Sequence, residues 1–152
     1  MKMQLIGKRR SRSLRMAYSR WQIVKMFRFE KLEVWKESLT YAKHVYEICK
    51  EFPRDELFGL TSQIKRAVLS ISSNIAEGSG SSSKKDFAHY LDKAIKSVFE
   101  TVSQLFFAKE LKFIEIKSFN DLYNEAELLV KKIQSLRGSL IDHTPSTISH
   151  KQ

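Results

Sequence analysis

The sequence predicts an all-α fold, an antiparallel up-and-down four-helix bundle, and three observations carry that expectation. Four stretches place apolar residues at alternating steps of three and four. The breaks between them hold turn or capping residues, and short links favour antiparallel neighbours. No strand-like alternation competes. A chain of 152 residues suits one domain, and at this size folding can bury roughly two thirds of the unfolded surface.

The first helical stretch runs from about Lys31 to Phe52, with Leu32, Trp35, Leu39, Ala42, Tyr46 and Cys49 on one face. Pro53 cannot continue it. The second covers about Leu57 to Glu77, with Leu57, Leu60, Ile64, Val68, Ile71 and Ile75 in the same rhythm. Ser70, Ser72 and Ser73 compete for backbone groups within it and leave room for a bend. Gly78 and Gly80 are expected to end it, because glycine accepts a left-handed cap without steric cost.

Ser83-Lys84-Lys85-Asp86 reads as a capping box that opens the third helix. Its stripe is Phe87, Leu91, Ile95, Val98, Val102, Leu105 and Phe106, ending near Lys112. Ser118-Phe119-Asn120-Asp121 reads as a second box. It opens a fourth helix with the most regular seam of all: Phe119, Leu122, Ala126, Leu129, Ile133, Leu136 and Leu140. Such alternation suits helices packed at a shallow angle. The domain is thus expected over 27–142, behind a basic extension at 1–26 and ahead of a fraying tail at 143–152.

The formal net charge of +10 is concentrated at one end. Residues 1–28 hold nine basic side chains (Lys2, Lys8, Arg9, Arg10, Arg12, Arg15, Arg20, Lys25, Arg28) and no acid. The remainder carries 18 basic and 17 acidic residues, a net of +1. No apolar run approaches the roughly 18 residues that span a bilayer. The single cysteine, Cys49, has no intramolecular disulfide partner and suits a reducing compartment. The expectation is a soluble cytoplasmic protein.

Little argues for catalysis. His44, His89, His143 and His150 form no recognised metal spacing. Asp86 and His89 lie one turn apart, but two ligands do not make a metal site. Cys49 sits on an apolar face and reads as a packed thiol. Gly78 and Gly80 lack the preceding strand and following Gly-Lys of a phosphate loop. No enzyme activity, cofactor or metal is expected.

Basic residues supply the binding candidates. Lys36, Lys43 and Lys50 recur every seven residues, partly neutralised by Glu33, Glu47 and Glu51, and read as a solvated face. Lys65-Arg66, Lys84-Lys85 and Lys131-Lys132 are scattered pairs that could meet in space. In the extension, Arg9, Arg10, Arg12 and Arg15 could neutralise phosphates while Tyr18, Trp21, Phe27 and Phe29 stack on bases. Leu14, Tyr18, Trp21 and Val24 also fall at helical spacing, which suits a membrane surface or partner. The composition matches an organellar presequence as well. A further reading makes Met26 the true start.

Three stretches resemble the bacterial four-helix bundle proteins also called 23S rRNA intervening sequence proteins. They are Phe27-Arg28-Phe29-Glu30-Lys31-Leu32-Glu33-Val34-Trp35-Lys36, Phe58-Gly59-Leu60-Thr61-Ser62-Gln63-Ile64-Lys65-Arg66-Ala67 and Ser70-Ile71-Ser72-Ser73-Asn74-Ile75-Ala76-Glu77-Gly78. Ser97, Glu100, Leu105 and the Phe113-Ile114 pair fit the pattern too, and the likeness spans about 27–136. Ser72 and Lys96 depart from it, where relatives often carry proline and glycine; the first departure speaks against a sharp kink. The resemblance implies an antiparallel bundle, a homo-oligomer that in this family can be a pentamer, and a start near Met26. It also implies no enzymatic activity. Some related bundles resemble accessory proteins that bind RNA or DNA and a reverse transcriptase. Asn74, Glu77 and Gly78 match its motif, and the expected role of Asn74 and Glu77 is structural, with Arg66 placed to pair with Glu77.

The functional expectation is a non-enzymatic, oligomeric nucleic-acid-binding accessory protein. Its candidate contacts are Lys65, Arg66, Lys84, Lys85, Lys131, Lys132, Arg9, Arg10, Arg12 and Arg15. The alternative is a protein-protein interaction scaffold that binds no nucleic acid, with Phe107 or Trp35 exposed at chain contacts.

Overall fold

The structure is a computed structural model, and it describes residues 27–141. The expectations for 1–26 and 143–152 lie outside the described residues. Four helices follow one another: α1 (Glu33–Cys49), α2 (Leu60–Ser79), α3 (Lys84–Glu110) and α4 (Ile116–Ile141), with short 3-10 turns at Arg28–Lys31 and Arg54–Glu56. Each helix packs on its neighbour in sequence and α1 closes against α4, so the four form a ring around one core. That is the expected four-helix bundle, and no strand occurs among the described residues.

The core comes from the three-four rhythm. Ile64, Val68, Ile71 and Ile75 of α2 are sealed from solvent, as are Leu91, Ala94, Val98 and Leu105 of α3. On α4 the predicted seam holds: Phe119, Leu122, Ala126, Leu129 and Ile133 are buried, and Leu136 and Leu140 pack against the core from its edge.

Elsewhere the sequence expectations need correction. On α1 the buried face is Val34, Ser38, Tyr41, Ala42, Val45 and Cys49, while Leu39 is 40% exposed. Two stripes with the same rhythm lie side by side on this helix, and the one carrying Tyr41 and Val45 faces the core. Leu57 precedes α2 instead of opening it and stands 53% exposed. Phe106, counted with the α3 stripe, is 42% exposed.

The serine run does not interrupt α2. Ser72 and Ser73 donate back to the Leu69 carbonyl at 3.0 and 3.1 Å, and Ser70 meets the Ser97 hydroxyl of α3. Nor do the glycines cap it in a left-handed turn. Gly78 lies inside the helix, and Gly80 ends it at a right-handed φ of −79°. The reason for Gly78 is proximity: a Cβ there would meet Tyr90 Cβ at 2.6 Å and Phe87 Cδ2 at 2.7 Å. Absence of a side chain lets α2 and α3 close at this level.

Ser83 caps α3 as expected, its Oγ accepting the Asp86 N–H at 3.0 Å and donating to Asp86 Oδ2 at 2.7 Å. The second predicted box does not form. α4 begins at Ile116, two residues before Ser118, and Asp121 accepts from Lys117 at 2.9 Å. The left-handed cap occurs instead after α3, at Lys112 with φ 61°. There Phe113 N–H reaches back to Ala108 O and Lys112 N–H to Lys109 O, both at 2.9 Å, the hydrogen-bond pattern of a Schellman end. It turns Phe113 onto Phe52, with ring centroids 5.8 Å apart.

Candidate nucleic-acid interface

Basic side chains divide by helix. All four on α4 have a carboxylate partner. Lys117 meets Asp121 at 2.9 Å, Lys131 meets Glu127 at 3.8 Å and Lys132 meets Glu37 of α1 at 2.6 Å. Arg137 Nε lies 2.5 Å from Asp92 Oδ1 of α3, a charge contact whose N–H is turned off the hydrogen-bond line. On α1 and at its C-terminal cap, Lys36 and Lys50 pair with Glu33 and Glu47, and His44 Nδ1 contacts Glu125 of α4 at 2.8 Å. Hydrogen bonding from Lys50 holds the Glu47 carboxyl below its ordinary pKa, and Asp121 holds the Lys117 ammonium above its own.

The cations of α2 and α3 differ. Among the described residues, Lys65, Arg66, Lys84, Lys85, Lys93, Lys96 and Lys109 have no carboxylate within ion-pair reach. Three lie over aromatic rings: Lys65 over Tyr46 at 5.0 Å, Lys93 over Tyr90 at 4.5 Å, and Lys109 over Phe119 at 4.7 Å. Such contacts leave the positive charge uncancelled.

Position makes these charges a row. Lys85, His89, Lys93 and Lys96 follow at steps of four, four and three, so they share one face of α3, and all are exposed. From Lys85 to Lys96 the helix rises about 16 Å, and Glu100 ends the row. Exposed Arg66 lies on neighbouring α2, which the Ser70–Ser97 contact holds against α3. At the row's upper end, Arg28 donates to the Ser81 carbonyl at 3.2 Å. There Arg28, Ser81, Ser82, Ser83 and Lys84 rim a cavity of about 270 Å³ floored by Leu32, Phe87 and Leu140. Ammonium groups in such a row can neutralise successive phosphates of a nucleic-acid strand.

The six basic candidates in the body therefore do not form one patch. Arg66, Lys84 and Lys85 lie on the α2–α3 side, Lys65 turns towards Tyr46, and Lys131 and Lys132 are ion-paired on α4. Arg9, Arg10, Arg12 and Arg15 lie outside the described residues. Lys93 and Lys96 escape a search for adjacent basic pairs, and such pairs point their side chains about 100° apart on a helix. The signal that reveals them is helical spacing, which puts Lys85, His89, Lys93 and Lys96 on one line. Of the motif residues, Asn74 donates to Ser70 O at 2.7 Å and Gly78 is the close-approach glycine. Glu77 is exposed and makes no ion pair with Arg66: they share a face but stand about 16 Å apart along the helix.

Comparison with known proteins gives one family and one fold. The sequence profile of the 23S rRNA-intervening sequence protein matches residues 30–135. A crystal structure from Bacteroides thetaiotaomicron, of a protein with unknown function from the S23 ribosomal protein family, is similar at 26% identity and a TM-score of 0.64. The match covers 68% of this chain and 97% of that one. No curated protein matches.

Proposed function

The chain belongs to the 23S rRNA-intervening sequence protein family, and from that premise we propose that it is a non-enzymatic accessory protein that binds nucleic acid as a homo-oligomer, with the α2–α3 face as the contact. The observation carrying this is the asymmetry of charge pairing. Every basic group on α4 has a carboxylate beside it, whereas Arg66, Lys84, Lys85, Lys93 and Lys96 stand exposed without one. A carboxylate partner must be displaced before its lysine can take a phosphate, so the unpaired row is the better electrostatic surface. The family's name points to RNA as the first ligand to try.

Anisotropy titration of labelled RNA against the full chain, from about 50 mM salt upward, tests the reading. Changing Lys85, Lys93 and Lys96 together to Gln is expected to weaken binding and flatten its salt dependence, while Lys131→Gln is expected to do little. No RNA or DNA binding at the lowest salt would end it. Self-association has separate support in large apolar side chains left in water, among them Phe58, Phe99 and Phe107 at 91, 64 and 56% exposure. The same side chains favour the scaffold alternative, in which a defined protein partner stays bound after nuclease treatment.

A further inference from the structure

We propose that the cavity at the upper end of the lysine row takes one unstacked base of a single strand, laid against the Phe87 ring, while the neighbouring phosphates meet Arg28, Lys84 and the row. This rests on the nucleic-acid reading above and adds which form of strand is held and where its base goes.

The platform is a fixed ring. Phe87, in the first turns of α3, is half-buried and lines the cavity. Its Cδ2 lies so near Gly78 that a Cβ there would come within 2.7 Å of it. With the α2 backbone against it the ring has little freedom left to lose when a base lies on it, which favours binding. Leu32, ahead of α1, and Leu140, near the end of α4, complete an apolar floor. At about 270 Å³ the cavity has room for one nucleobase with part of its ribose.

The rim selects the ligand. Two charged residues line the cavity, Arg28 and Lys84. Both are cations, and neither has a carboxylate partner among the described residues. Arg28 is held by its bond to the Ser81 carbonyl, and its guanidinium fork has further N–H donors for a phosphate. Among the described residues the acids nearest in sequence are Glu30, Glu33, Glu77 and Asp86, and none lines the cavity. Lys36 holds Glu33, and Asp86 accepts from the Ser83 hydroxyl at 2.7 Å. An apolar floor under a cationic rim fits the face of a base and the phosphates on either side of it.

Position joins the cavity to the row. Lys85 follows Lys84 on α3, so a strand with one base in the cavity continues over Lys93 and Lys96 along the same helix. A paired base would first have to leave its duplex, at a cost in unstacking. The site therefore favours single strands.

Anisotropy titrations of the full chain at about 50 mM salt test this with labelled oligouridylate and an abasic strand of equal length. The two carry the same phosphates, and the abasic strand is expected to bind at least about fivefold more weakly, the effect of one stacked base. Phe87→Leu keeps an apolar side chain and removes the aromatic face; with its helices checked by circular dichroism, it is expected to bring the two affinities together. Photo-crosslinking of a 5-iodouridine strand to the wild-type protein locates the base without any substitution. The crosslink is expected on the peptide that carries Phe87. Equal affinities in wild type, an undiminished difference in folded Phe87→Leu, or crosslinks confined to residues 1–26 each overturn the base site and leave the phosphate-binding row standing. Absence of binding by both strands ends the nucleic-acid reading itself.

Discussion

At Gly78 two helices approach more closely than any side chain would permit. Alanine is the better helix former by roughly 1 kcal/mol, so a Gly78→Ala change would help an isolated α2. Here the added methyl collides with Tyr90 Cβ at 2.6 Å and Phe87 Cδ2 at 2.7 Å. The helices must part, and overpacking of this kind costs about 1–3 kcal/mol. Urea unfolding is expected to show a net loss for Gly78→Ala and a smaller change for Gly80→Ala, whose Cβ would meet only backbone oxygen at 3.2 Å or beyond. Cys49 carries a second residue-scale consequence. Burial pushes its thiol from 9.0 up to about 11, against a weaker opposing pull from Lys65. The fold thus favours the protonated thiol. Its contribution is fully present below pH 9 and lost as pH climbs through the folded value, up to about 3 kcal/mol in all. Urea midpoints between pH 8 and 11 are expected to fall more steeply for wild type than for Cys49→Ala. Burial raises the Tyr41 hydroxyl as well, so some alkaline loss remains in the variant.

Among the elements, α4 was the most legible and α1 the least. A helix carrying a single apolar stripe has one way to face a core, and Phe119 through Ile133 took it. Leu129→Ala, at a side chain 3% exposed, is expected to cost about 2–5 kcal/mol by chemical denaturation. Leu136→Ala at the seam's edge is expected to cost less. On α1 two parallel stripes satisfied the same periodicity, and the arc buried between α2 and α4 chose between them. Helix ends divided similarly. Ser83 and Asp86 cap α3 because nothing competes with them, whereas Ser118 and Asp121 matched the same pattern inside a helix that had already begun. The left-handed residue at Lys112 carried no glycine to announce it. Local chemistry names helices well; it cannot weigh one stripe or one cap against its neighbour until the partners are in place.

At the scale of the molecule, charge is where sequence reading fell short. A lysine's identity says nothing of whether a carboxylate from another helix sits beside it. Only the ring of helices brings Glu37 to Lys132 and Asp92 to Arg137 and leaves Lys93 and Lys96 uncompensated. The extension poses the remaining electrostatic question, because Lys2, Lys8, Arg9, Arg10, Arg12, Arg15, Arg20 and Lys25 precede the bundle with no acid among them. Deleting residues 1–25 is expected to leave thermal unfolding nearly unchanged, since among the described residues the four helices build the core by themselves, from Val34 to Ile133. Affinity for single-stranded RNA is expected to drop at low salt, with the log–log salt slope shallower by about 0.7 for every phosphate that the extension had neutralised. What binding remains then belongs to the bundle, and replacing Lys85, Lys93 and Lys96 in the shortened chain is expected to remove it. A shortened chain that folds yet binds no RNA at about 50 mM salt would place all affinity in the extension and none on the α2–α3 face.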